Sequence, residues 1–220
     1  MEVKTKFTGN DATLDSPLSS ANRQQIEDAA NAVLLALRLI RSQPICLYAL
    51  RFSITNAFLD HVESSLPSDY GSCGRPGGLY KVTSEVVDEV RMLWPQAKKA
   101  IHEIATDSEW SLAVTRFGDA YRRTKGDDQL VDYWIALETL FLPEERAPEK
   151  GVAAGLAISN YLGESSADRR SLYASVKKSY TLRSRVVHGK TGTRDRDFDL
   201  EIDKTAELLR RSMLKRVREL

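Results

Sequence analysis

The sequence predicts a mainly α protein, a helical bundle with a small β element near its N-terminal side. Three observations carry this reading. Apolar residues recur at helical spacing through most of the chain, Gly and Pro punctuate those stretches, and only one segment, 45–54, reads as strand. At 220 residues the chain is long enough to bury a core without disulfide or metal staples.

Residues 1–18 are polar, with turn signals at Gly9, Asn10 and Pro17, and read as an irregular lead-in. Ile26, Ala29, Ala30, Val33, Leu34, Leu37 and Ile40 then share one helical face, predicting an amphipathic helix that ends before Pro44. The most apolar run of the chain, from Ala32 to Leu37, is closed by Arg38 and is too short to span a bilayer. Segment 45–54 is rich in β-formers and roughly alternating after Leu47, whereas 67–78 is a Gly-, Pro- and Ser-rich loop. That loop lacks both a following Lys-Ser or Lys-Thr and a G-x-G-x-x-G order, so it reads as a surface loop and not a phosphate cradle. Residues 19–83 thus form a region of helix plus small β and loop elements.

From residue 84 to 220 the pattern is helical throughout. Ser84 is the expected N-cap of a helix over 84–105, with Glu85 and Asp88 in its first turn. Pro95 predicts a kink there, or a division into shorter helices. Further helices are expected over 108–123, 127–142, 149–162, 167–188 and 197–220, separated by Gly126, Pro143, Pro148, Gly163 and Gly189.

Thirty-two basic and 31 acidic residues leave a formal net charge of +1, so only local clustering could recruit a polyanion. Cys46 and Cys73 do not form a metal box, and no secretory h-region accompanies them. The expectation is free thiols in a soluble, cytoplasmic protein that holds no metal and no cofactor and does not engage a membrane.

Two helices carry a charge on their apolar stripes. In 127–142, Leu130, Val131, Trp134, Ile135, Phe141 and Leu142 share a face with Glu138 in its middle. In 167–188, Leu172, Tyr173, Val176, Tyr180 and Val187 share a face on which Arg183 falls. An unpaired buried charge is costly, which predicts that Arg183 and Glu138 meet across a helix contact or line one polar cavity. The alternative is that each snorkels from the edge of its stripe. His188 lies about 140° round an ideal helix from Arg183, and Gly189 ends the helix immediately after it. Arg183, Arg185 and Lys190 make its neighbourhood basic, which suits a phosphodiester; a histidine capping a helix C-terminus, where the dipole favours a cation, fits the same spacing. His61 and His102 stand in polar contexts and read as surface residues. Arg169, Arg170, Lys177 and Lys178 extend the basic cluster, with Lys177 and Lys178 reading as a solvated face.

The segment Tyr180-x-x-Arg183-Ser184-x-x-Val187-His188-Gly189 resembles the signature of the higher-eukaryote-and-prokaryote nucleotide-binding (HEPN) superfamily, in its Apea-like branch. Two further blocks, 116–123 and 132–141, are similar to that branch, and the likeness covers about 108–220. The resemblance implies a HEPN-like helical bundle that often pairs as a homodimer, with two Arg/His pairs facing one cleft. It implies a metal-independent endoribonuclease of the kind found in anti-phage defence or toxin–antitoxin systems, with RNA or nucleotide as ligand and an antitoxin or regulatory protein as a further partner. His188 would then be general acid or base and Arg183 the phosphate clamp, with Tyr180, Ser184, Arg185 and Glu138 in supporting places. Ser184 stands where active ribonucleases often carry Asn, Asp or His. A non-catalytic nucleotide- or protein-binding module of the same superfamily is the alternative.

Overall fold

The structure is a computed structural model that describes residues 20–46, 50–56, 59–66, 74, 80–142, 149–189 and 196–220. The lead-in at 1–18, Cys73 and most of the 67–78 loop lie outside the described residues. Among the described residues the chain is mainly α. Its helices are α1 (Ser20–Ile40), α2 (Ser84–Glu103), α3 (Ser108–Ala120), α4 (Gly126–Phe141), α5 (Lys150–Leu162), α6 (Ser166–Val187) and α7 (Arg196–Glu219). Between α1 and α2 a short antiparallel hairpin pairs β1 (Leu50–Asn56) with β2 (Leu59–Leu66), its register irregular between Ile54 and Asn56. Of the predicted 45–54 stretch, Ile45 and Cys46 are not in the strand.

Local chemistry sets most helix starts. Thr83, not Ser84, caps α2: its extended backbone lets Oγ1 accept the Val86 N–H at 3.5 Å, and Ser84 is already inside the helix. Pro95 does not divide α2, which runs unbroken from Ser84 to Glu103 with Pro95 on its exposed side. Val86, Val90, Leu93, Ala97, Ala100 and Ile101 form its buried face. Asp107 caps α3 by accepting the Trp110 N–H at 2.8 Å. The same carboxylate takes Arg216 of α7 at 2.7 Å, and that guanidinium lies 4.9 Å from the Trp110 ring, which ties the start of α3 to the chain's last helix.

The helices pack as three close pairs, α1 with α2, α3 with α4, and α5 with α6, while α7 touches α1, α2, α4, α5 and α6. α4 is the central element, against α3, α5, α6 and α7, and Leu130, Trp134, Ala136 and Leu137 on it are almost wholly buried. α1 contributes Ala32, Leu35, Ala36, Leu37 and Leu39 to the same core. Arg38, which the sequence presents as the end of an apolar run, is itself buried there at 7% exposure.

Gly74 is described alone in its segment. Its N–H donates to Tyr121 O at 3.0 Å, and a Cβ would fall 2.1 Å from Arg122 O, so only glycine fits against the end of α3. Cys46 is disulfide-bonded, which corrects the expectation of free thiols. A cysteine count cannot show whether distant segments come together. No described helix is long and apolar enough to cross a membrane.

Candidate functional site

The candidate site is the C-terminal half of α6. Ser165 starts this helix by accepting the Asp168 N–H at 3.1 Å. Leu172, Val176 and Ser179 then form the strip that enters the core. Close approach of α5 follows from its glycines. A Cβ on Gly151 would meet the Tyr180 ring at 2.7 Å, and one on Gly155 would meet Tyr173 at 2.8 Å. Tyr180 is therefore held on three sides, by Gly151, by the edge of Trp134 at 5.0 Å between centroids, and by Arg183, whose Cζ is 5.8 Å from its ring. Burial pushes the Tyr180 phenol above its ordinary value; Glu138 adds to the rise and Arg183 opposes it.

Arg183 and Glu138 do meet across the contact between α6 and α4. Arg183 Nη2 stands 3.4 Å from Glu138 Oε1 and 3.5 Å from Oε2, with side chains 22% and 18% exposed. These distances are long for a charge-assisted pair, which closes to roughly 2.7–2.9 Å when geometry is good. Both groups are also incompletely satisfied: Arg183 Nε and Glu138 Oε1 are buried and have no hydrogen-bond partner. The pair is poised, then, and not a closed fork.

His188 is the C-cap. Its N–H donates to Ser184 O at 3.1 Å, and Gly189, at φ +66°, makes the left-handed turn that ends the helix. The imidazole is exposed and, among the described residues, makes no hydrogen bond or ion pair. Ser184 and Tyr180 are half-buried and Arg185 is exposed. Val187, expected on the apolar face, is 52% exposed, and Val186 packs against the core in its place. The apolar face therefore ends a turn early, leaving Arg185, Val187, His188 and Gly189 open to solvent. Lys190 lies outside the described residues, and the one described expectation for the other histidines holds, with His102 exposed.

The basic cluster is smaller than its sequence. Lys178 donates to Glu201 at 2.8 Å, as does Lys204. Burial opposes ionisation of Glu201, yet those two hydrogen bonds hold its carboxyl below the usual range. Lys177 lies 5.7 Å from the Tyr173 ring, and Arg169 reaches Gly163 O at 3.4 Å. Within this cluster the described cations without a hydrogen bond or ion pair are Arg170, Lys177 and Arg185, joined by Arg183 if Glu138 releases it.

Other polar groups escaped the sequence reading. Asp132 is 3% exposed and clamped between Arg116 Nη1 at 3.0 Å and Arg123 Nε at 2.6 Å, which fixes the α3–α4 turn. The contact with Asp132 holds the Arg123 guanidinium above its ordinary value. The available signal was Asp132 among Leu130, Val131, Tyr133 and Trp134, with Arg116 and Arg123 seven residues apart on the preceding helix and its end. A second buried network runs from Trp134 Nε1 to Ser179 Oγ at 2.9 Å and on to Thr205 Oγ1 at 2.5 Å. It locks α6 to α4 and α7 directly beneath the candidate site. Among the described residues no cluster of His, Cys, Asp or Glu is placed to hold a metal ion.

No protein-family model, no curated protein and no solved structure matches the chain.

Proposed function

We propose that the end of α6 is an RNA phosphodiester site of the HEPN type and that the protein is a metal-independent endoribonuclease working as a homodimer. The observation that carries this reading is the exposed His188 imidazole, set beyond the helix end by Gly189 and preceded by the loosely paired Arg183. In such a site His188 takes the proton from a ribose 2′-hydroxyl as that oxygen attacks the adjacent phosphorus, or returns a proton to the departing 5′-oxygen. Arg183 stabilises the charge that gathers on the non-bridging phosphate oxygens, exchanging Glu138 for phosphate as it does so. Arg185 supplies further attraction, while Tyr180 and Ser184 hold the helix end in place. Two copies bring two such helix ends to one cleft. An antitoxin-like or regulatory protein covering that cleft would fit a role in anti-phage defence or a toxin–antitoxin pair.

This role sets the protein in a cytoplasm, where reducing conditions would work against the disulfide at Cys46. The α6 site does not include that residue.

A second reading rests on a specific observation. Arg183 is engaged by Glu138 in the structure, as in a binding module where the arginine is a strut and His188 only a cap. Incubating the protein with structured RNA in EDTA, with analysis of the product ends, separates the two. The ribonuclease reading expects cleavage that leaves 2′,3′-cyclic phosphate. RNA bound in a mobility shift but left intact supports the binding module, and cleavage only with added divalent metal contradicts the proposed mechanism. A strict monomer at working concentration counts against the shared cleft.

A further inference from the structure

Arg38 is a charged group in the core that forms no ion pair with a described residue. Its Nε donates to Ile45 O at 3.0 Å, and its Cζ lies 4.8 Å from the ring of Tyr121. Nη1 sits 3.1 Å from where a Cβ on Gly118 would be, so the glycine makes room for the guanidinium. Nη2 is buried and has no hydrogen-bond partner. The nearest acid on α3, Asp119, pairs instead with Arg122 at 3.5 Å. Burial pulls the Arg38 guanidinium down to about 10, which leaves it charged at neutral pH. Native cores seldom leave a buried guanidinium this poorly satisfied, because the unmade hydrogen bond to a charged group is costly.

Arg38 also lines a cavity of about 210 Å³ between α1, α2 and α3. Leu35, Ile101 and Val114 make its walls, and Asn31 and Thr115 supply polar edges. Arg122 and Asp119 are on the lining too, so the charges of the described lining residues sum to one cation. We infer that this cavity is a binding site for a small organic anion, a single carboxylate on an apolar body. The carboxylate would pair with the Arg38 guanidinium on its Nη1 side, beside Gly118, and the body would lie on Leu35, Ile101 and Val114. One unmatched cation suits a monoanion, Asp119 disfavours a dianion such as phosphate, and apolar walls favour a ligand with hydrocarbon to bury. The site is separate from the end of α6 and does not depend on the ribonuclease reading.

Benzoate, hexanoate and inorganic phosphate, each titrated into the full chain by calorimetry and by ligand-observed NMR, test the inference. Saturable binding of benzoate or hexanoate is expected, with phosphate weaker than either. Arg38→Met is expected to weaken carboxylate binding by roughly tenfold or more, the equivalent of one charge-assisted hydrogen bond. Thr115→Trp narrows the cavity while keeping Arg38, and is expected to abolish binding with the helical circular dichroism unchanged. It decides the matter should Arg38→Met fail to fold. Absence of saturable carboxylate binding at millimolar concentration would overturn the inference. So would equal affinity in both folded variants, or preference for phosphate.

Discussion

Replacing Glu138 with Gln asks whether Arg183 is a strut or a clamp. The structure sets the scale. A separation of 3.4 Å gives a gross attraction of about 5 kcal/mol at an effective dielectric of about 20. Desolvation of two side chains roughly four-fifths buried takes back most of it. The open geometry and the unpartnered Arg183 Nε limit the remainder. The net coupling should then be about 1 kcal/mol, between the values typical of exposed and of fully buried pairs. For a chain of this size that corresponds to a fall in Tm of roughly 2–4 °C. The assay is a double-mutant cycle of Glu138→Gln and Arg183→Met by urea unfolding, with RNA binding measured on the same proteins. Glu138→Gln should lose stability and bind RNA more tightly, since Arg183 no longer has a competing carboxylate. A coupling energy of zero would refute the pairing argument. Measurable coupling with RNA affinity unchanged in both single variants would make Arg183 a strut alone.

Three further outcomes follow from the packing. Ser179→Ala removes the acceptor of Trp134 Nε1 and a partner of Thr205, both buried, and should cost about 1–3 kcal/mol in denaturant unfolding, with a change in tryptophan fluorescence. Asp132→Asn weakens two hydrogen bonds from arginines that are themselves 34% and 43% exposed, so the loss should be about 2 kcal/mol, or roughly 4–8 °C in Tm. Burial pushes the Tyr121 phenol up to about 12, and burial with the Glu219 hydrogen bond does the same for Tyr161, against the ordinary value of 10.0. The folded chain therefore keeps protons that the unfolded chain releases. The stability these phenols contribute is intact below the unfolded value and is lost as pH rises through the folded one, which unfolding at graded alkaline pH would follow with phenolate absorbance.

Much of the fold was legible in the residues. Ile26 to Ile40 on one face, and Val86, Val90, Leu93 and Ala97 on another, are spacings that no strand could bury. Gly189 announced the end of α6, and its φ of +66° is what a residue in that place needs. The pairing of Arg183 with Glu138 could be anticipated because a charge on an apolar stripe must be answered. Arg38 and Ser179 were not legible for the opposite reason. Each is buried by a neighbour distant in sequence, and local periodicity assigns a polar residue to solvent unless apolar residues surround its stripe. Pro95 misled because a proline on the exposed side of a helix can be accommodated where a core-facing one would force a break. The early end of the apolar face at Val186 decides how open the candidate site is, and it depends on where neighbouring helices stop, which one stretch of sequence does not record.

The most direct test of the account is the rate of RNA cleavage in EDTA by the wild-type chain beside His188→Ala, with Glu138→Gln as a folded comparison. The account predicts metal-independent cleavage by the wild type, a loss of roughly a hundredfold or more in His188→Ala as expected for a positioned acid or base, and unchanged melting of that variant because the imidazole is exposed. Cleavage by His188→Ala at the wild-type rate would contradict it.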